Sequence, residues 1–173
     1  VCVVALAAVF ALAATTPADA QERKSIRWAT SSTGSYGYKV AAQMVQVLES
    51  ALGGQYTVTV NPYPSTTAAM KAAMDGEAEV SYTADVGMAD VYNGDGAFKD
   101  YKPAKSKIVH TWYAYPMESF MAVYAPKADQ YKSWKDFSGK PVFFTPAGFM
   151  NWLNFRRIYK ALGYDFKHVQ IGE

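Results

Sequence analysis

The sequence predicts an α/β protein built on parallel sheet, and three observations carry that prediction. Short runs alternating apolar and polar residues recur, each run ends in a small polar loop, and each loop opens onto a segment of helical apolar spacing. Strands alternating with helices imply parallel pairing with right-handed crossovers, so the polar loops share one edge of the sheet.

The first unit opens with "SIRWA" (Ser25 to Ala29), where Ile26 and Trp28 alternate with Ser25 and Arg27 as in a strand. The loop "TSSTGS" follows. From Tyr38 onward, Val40, Met44, Val47, Leu48 and Leu52 fall on one helical face until Gly53 and Gly54 stop it. The second unit has strand "YTVTV" (Tyr56 to Val60), loop "NPYPST" (Asn61 to Thr66) and helix "TAAMKAAMDGE", with Gly76 at its end. Ser65, Thr66 or Thr67 can accept a hydrogen bond from the free amides of that helix. The third has strand "AEVSYT" (Ala78 to Thr83) and helix "VGMADVYNG" (Val86 to Gly94), closed by Asn93 and Gly94. Residues 99–107, charged and carrying a proline, read as a surface connection.

Two further strand-like runs, "KIVHTWYAY" and "SFMAVYAP", follow around Pro116. "SWKDFSGK" (Ser133 to Lys140) is a polar turn leading to strand "PVFFT" (Pro141 to Thr145). Beyond Pro146, Ala147 and Gly148, the residues Trp152, Phe155, Ile158, Tyr159 and Leu162 form an apolar helical face that Gly163 ends. This new strand, loop and helix predicts the start of a second lobe over residues 127–173, after a first lobe over 21–126. One such unit cannot bury both faces of a sheet, so the reading expects a longer protein; a compact single domain is the alternative.

Half of the 173 residues are apolar, 15% are aromatic and 18% charged, which suits a packed core and not a disordered chain. The net charge is +2 with lysines dispersed, so there is no footprint for nucleic acid. "VCVVALAAVFALAA" is continuously apolar and "ADA" follows it, the hydrophobic and cleavage parts of a signal peptide over residues 1–20, cut after Ala20. The run is shorter than the roughly 20 apolar residues of a spanning helix, and no polar residue makes it an amphipathic core helix. The initiator Met and basic start of a leader are missing, so the sequence is expected to begin inside a precursor. Cys2 is the only cysteine and leaves with the leader. The exported protein then rests on its core without disulfides.

Catalytic chemistry finds little support. No Walker ending follows the first loop, "TGSYG" has two of the three glycines of a dinucleotide fingerprint, and no Gly-x-Ser-x-Gly elbow occurs. His110 sits within an apolar strand pattern and reads as structural; it is far in sequence from His168. Glu77, Glu79, Asp85 and Asp90 read as helix-end and solvent-facing charges. No catalytic residue, cofactor or metal ligand is predicted. Ligand binding fits better, because open α/β sheets bind ligands beyond the carboxyl ends of their strands, where helix N-termini expose amides. Three loops there carry acceptors and donors, Thr30 to Ser35, Ser65 to Thr67 and Thr83 to Asp85. One hydroxyl caps a helix; the five in the first loop exceed that need.

Taken together, "WATSSTGSYGYKVA", "PSTTAAMKAAMDGEAEVSYTADVGMADVYNGDGAF", "WYAYPMESFMAVYAP" and "DFSGKPV" resemble, in order and spacing, the TAXI-type solute-binding proteins of tripartite ATP-independent periplasmic (TRAP) transporters. The resemblance spans Ile26 to Gly163. It implies a periplasmic-binding-protein-like fold of type II, two lobes with a hinge, the second truncated here. It also implies a periplasmic, monomeric protein that closes on a small carboxylate-bearing solute, an organic acid or amino acid, and delivers it to membrane-embedded transporter subunits. The contacts it implies are Thr30, Ser32, Thr33, Gly34, Ser35 and Tyr36, then Ser65, Thr66 and Thr67, with Asp85 and Tyr115 behind them. The departure lies in the second-lobe loop "TPAGFMNW", which keeps Gly148 but sets bulky Phe149 and Met150 beside it. Those side chains are expected to narrow that wall, with Asn151 or Trp152 substituting as contacts and Arg156 and Arg157 in solvent. A receptor for an ABC transporter or a sensor, and a periplasmic enzyme on the same scaffold, are the alternative roles.

Overall fold

The computed structural model describes residues 22–106, 108–116, 118 and 120–171. The leader expected over 1–20 lies outside the described residues, as do Lys107, Met117 and Ser119 of the expected strand runs. Strand β1 (Lys24–Thr30) lies at the centre of a three-stranded parallel sheet, between β2 (Tyr56–Pro62) and β3 (Val80–Ser81). Lys24 aligns with Tyr56 and Thr30 with Pro62. β2 thus runs two residues beyond the expected Val60, and Pro62 is tolerated because it ends a strand at the sheet's edge. β3 is shorter than expected, although the amides of Glu79 and Tyr82 still bond the carbonyls of Arg27 and Ala29.

Helix α1 (Tyr36–Ala51) covers one face of this sheet. Ala41, Met44, Val45 and Leu48 recur at the i, i+3, i+4, i+7 spacing and pack on Trp28, Val58 and Ile26. Val47 falls off that stripe and is 69% exposed, contrary to the face expected from sequence. Helix α2 (Thr66–Asp75) packs through Ala69 and Ala72 on Ala29 and Ala78, where small side chains let backbone approach backbone. Gly76 ends it in the left-handed conformation, at φ 84°, where a side chain would be strained. Helix α3 (Asp85–Asn93) contributes Val91 to a core shared with Met70, Met74 and Phe98.

A second, two-stranded parallel sheet pairs β4 (Pro141–Val142) with β5 (Lys167–His168) across helix α4 (Met150–Ala161). Helix α4 has two working faces. Phe155 and Tyr159 stack with Phe144, two residues past β4, while Met150 and Leu153 join the core of Met70, Met74, Val91 and Phe98. Ile158 and Leu162, expected on the buried face, are exposed instead. The strand expected over 141–145 pairs only at its first two residues. The turn before it is a 3-10 helix, Trp134–Phe137, closed by a capping box between Ser133 and Asp136.

The expected strands around Pro116 do not form among the described residues: 108–116, 118 and 120–123 make no backbone–backbone hydrogen bond. A strand exists only against a partner, and alternation marks the faces of a potential strand without providing one. Val109, Trp112, Tyr113, Phe120 and Tyr124 are exposed along this extended run, and so is His110, expected inside a strand. Charges expected in solvent are engaged elsewhere. Arg27 donates to Glu79 through Nε (3.1 Å) and Nη2 (2.6 Å), and its backbone amide donates to the same carboxylate at 2.7 Å.

Two outcomes test this packing. The hydrogen bonds from Arg27 hold the Glu79 carboxyl at about 2, against an ordinary 4.5. Its folded value lies below the unfolded one, so its contribution is full above about pH 4.5 and is lost as pH falls towards 2. The difference in urea midpoint between wild type and Glu79→Gln is therefore expected to shrink across that window; a pH-independent difference would contradict the pairing. Met150→Ala is expected to lower unfolding free energy by about 2–5 kcal/mol in urea titration, as for a truncated buried methionine.

Candidate functional site

Because β1, β2 and β3 run parallel, their carboxyl ends and the N-termini of α1, α2 and α3 meet along one edge. The loops are also joined directly, since the amide of Tyr63 donates to the carbonyl of Thr30 at 2.8 Å. In the first loop Thr30 and Ser31 are buried, Ser32 and Ser35 partly buried, and Thr33, Gly34 and Tyr36 exposed. Thr30 Oγ1 donates to the Ser31 carbonyl (3.0 Å) and Ser31 Oγ to Ser35 Oγ (2.8 Å). Ser35 Oγ in turn accepts from the Tyr38 amide at 3.1 Å as the N-cap of α1. Thus several hydroxyls that look surplus in the sequence build the loop's shape. Ser31, outside the predicted contacts, is the link between the strand end and the cap.

The second loop is capped by Ser65, whose Oγ accepts from the Ala68 amide at 3.2 Å. Thr66 is buried under the helix, and Thr67 Oγ1 donates to the carbonyl of Gly148 at 3.0 Å. In the third loop Asp85 stands exposed in the first turn of α3, its Oδ1 accepting from the Val86 amide at 2.8 Å. A carboxylate there already serves that helix dipole. Asp85 adds negative charge, so the donors suited to an anion belong to the first two loops.

Tyrosines flank the first loop. Tyr36, 66% exposed, meets Tyr115 edge to face at 5.1 Å, and the hydroxyls of Tyr115 and Tyr82 share a hydrogen bond. Burial, then the bond to Tyr82, pushes the Tyr115 phenol well above its ordinary value, so it stays neutral. Gly37 makes the arrangement possible: a Cβ there would stand 2.7 Å from the Tyr82 ring.

The turn after β4 faces the second loop. Gly148 (φ 94°) lies so close that a Cβ would stand 3.2 Å from Ser65 Cβ. Asn151 is partly buried in the first turn of α4. Met150 does not line this wall as expected from its bulk: it is buried in the core with Met70 and Val91. Trp152 packs away from the loops, donating from Nε1 to His168 Nδ1 (3.2 Å) beneath the Arg156 guanidinium at 4.4 Å. Thr145, absent from the sequence prediction, has a buried Oγ1 without a hydrogen-bond partner among the described residues. Its place after a strand was the available signal. The structure therefore brings Thr67 and Ser65 against Gly148, and Tyr36 against Tyr115, while Asp85 accepts from the Val86 amide of its own helix.

A cavity of about 380 Å³ lies elsewhere, between Phe144, Tyr159, Phe166 and the Arg156 and Lys160 side of α4. None of the strand-end donors reaches it, so its size does not make it the site. Among the described residues no three His, Cys, Asp or Glu side chains are grouped to hold a metal ion.

Residues 28–173 match the NMT1-like family, which is periplasmic-binding-protein-like and made of binding proteins. The mixed α/β fold with parallel sheets is consistent with that assignment. No curated protein and no solved structure matches the chain.

Ser65→Ala removes the cap acceptor of α2 and is expected to cost about 1 kcal/mol in chemical denaturation. Gly37→Ala forces Cβ against the Tyr82 ring and is expected to cost about 1–3 kcal/mol. A neutral Gly37→Ala would mean that the tyrosine cluster is not held at this helix turn.

Proposed function

We propose, from the premise that the chain belongs to the NMT1-like family, that it is the periplasmic solute-binding subunit of a TRAP transporter. Its solute is a small carboxylate-bearing molecule, an organic acid or amino acid. A solute-binding role in general follows from the family; the transporter class and the carboxylate are the finer reading. The observation that carries it is the convergence of two hydroxyl-rich helix starts, Ser35 to Tyr38 and Ser65 to Ala68, on one sheet edge, the second of them against the Gly148 turn. Helix N-termini supply amide donors and a favourable dipole, and hydroxyls add neutral donors. Together they hold a carboxylate without a salt bridge.

In this reading residues 21–126 form one lobe and the chain from 127 begins the other, joined by a hinge. Solute binds between Thr30, Ser32, Thr33, Gly34, Ser35, Ser65, Thr66 and Thr67 on one side and Gly148 and Asn151 on the other, with Tyr36 and Tyr115 flanking the cleft. Closure buries the carboxylate, which strengthens its hydrogen bonds by excluding water. The closed form then docks on the membrane-embedded subunits, so solute acts by shifting the population of closed protein. No bond of the solute is made or broken.

Calorimetry of the full-length protein against a panel of organic acids and amino acids tests the reading. Stoichiometric binding of a carboxylate that is recovered unchanged is the expected result. A panel without binding, or recovery of a product, would refute it. Genes for large multi-spanning permeases beside this one are expected, whereas an adjacent transporter ATPase would sink the TRAP assignment.

A further inference from the structure

The strand-end loops are rich in donors but carry no cation. Residues 30–36, 61–67 and 82–86 contain no lysine, arginine or histidine, and their one formal charge is Asp85. No arginine serves them from elsewhere: Arg23 precedes β1 at the far end of the sheet, Arg27 is held by Glu79, and Arg156 lies over the Trp152 ring. Arg157, expected in solvent, donates instead to the buried Asp90, from Nη1 to Oδ1 at 2.8 Å and from Nη2 to Oδ2 at 2.9 Å. A carboxylate held by amides and hydroxyls alone leaves much of the affinity to apolar contact with the rest of the solute. A second carboxylate would bring like charge to an edge that already carries Asp85.

The apolar contact on offer is aromatic. Each loop carries a tyrosine: Tyr36, Tyr63 and Tyr82. Tyr63 is turned to Glu77, to which its hydroxyl donates at 3.3 Å. Tyr82 stacks with Tyr115 at 6.3 Å and shares a hydroxyl hydrogen bond with it, and Tyr115 in turn meets Tyr36 at an interplanar angle of 89°. These contacts fix Tyr36, yet it remains 66% exposed. Tyr113 and Tyr124 are more exposed, but no ring among the described residues holds them. Because the Tyr115 phenol stays neutral, the cluster presents no negative charge to a carboxylate. Tyr36 is the first residue of α1, where the Cα–Cβ bond tilts toward the helix N-terminus, so its side chain is directed to the turn whose amides have no partner within the helix. Approach to that turn is open, since a Cβ on Gly34 would meet nothing within 4 Å.

We propose that Tyr36, fixed by Tyr115 and Tyr82, is a stacking platform, and that the solute is a monocarboxylic acid bearing an aromatic ring. This rests on the solute-binding reading and narrows its carboxylate to one with a planar ring beside it. The carboxylate takes the amides and hydroxyls of the first loop while the ring lies on Tyr36. Tyr115 and Tyr82 are positioning residues that hold the platform in its orientation.

The test is calorimetry of the full-length protein with benzoate and phenylacetate against their saturated counterparts, cyclohexanecarboxylate and cyclohexylacetate. The saturated rings are at least as apolar, so a preference for the aromatic acids reads the ring face and not hydrophobicity. Wild type is expected to bind the aromatic acids about two- to tenfold more tightly, the scale of an aromatic pair beyond its buried area. Tyr36→Leu, which keeps apolar bulk without a ring, should abolish that preference, and Tyr36→Phe should retain it. Equal affinity for aromatic and saturated acids in wild type would overturn the platform whatever the variants do, and so would a preference that survives Tyr36→Leu or a failure of both aromatic acids to bind. Benzamide and cyclohexanecarboxamide separate the two ideas. Benzamide bound as tightly as benzoate, with a preference over its saturated counterpart that Tyr36→Leu removes, would leave the platform standing and refute the carboxylate reading. Saturated acids bound as tightly as aromatic ones, with the amides rejected, would do the reverse.

Discussion

Parallel pairing of β1 on both of its edges is the constraint on which the remaining structure depends. With β2 and β3 both running alongside it, three polar loops and three helix N-termini are forced to a single edge. Antiparallel pairing would have divided them between opposite edges, and no convergent set of donors would exist. The same pairing buries Ala29 and Thr30 completely at the strand's end. Small Ala69, Ala72 and Ala78 around Ala29 then let α2 lie close on the sheet, which carries Ser65 and Thr67 to the first loop's side.

The hydroxyls at this edge serve structure before they serve a ligand. Ser31, Ser35 and the Tyr38 amide form a chain, and Ser65 holds Ala68. Loops fixed by their own hydrogen bonds present backbone amides at defined positions, so less conformational entropy is lost when a ligand is held. Tyr82, Tyr115 and Gly37 fix the flank in the same manner. Thr67 is different, because its partner is the Gly148 carbonyl, on the opposing turn.

Helix α4 shows how much a helix's second face can matter. Its aromatic stripe on the second sheet was legible, as Phe155 and Tyr159 confirm, but Ile158 and Leu162 lie beyond its edge in solvent. Met150, Leu153 and Arg157 form the other stripe, and a stripe mixing thioether, leucine and arginine gives no apolar periodicity to detect. Asp90 was equally hidden: an acid on a short helix reads as solvated until a cation from far along the chain is found beside it. The strands expected around Pro116 failed for the opposite reason, since their alternation was clear but no strand among the described residues pairs with 108–116, 118 or 120–124.

The sequence by itself determined the order of the strand, loop and helix units outside residues 108–124, a hydroxyl cap among Ser65, Thr66 and Thr67, the stop at Gly76, the parallel α/β class and the strand-end loops as the place to look for a site. These follow from side-chain spacing and turn chemistry that act within a few residues, so a linear reading captures them. Tertiary structure alone decided that Met150 is core, that Thr67 meets Gly148 and that Arg157 neutralises Asp90. Each joins segments far apart in the chain, and which partner fills a helix face depends on how whole elements pack, a property no local pattern encodes.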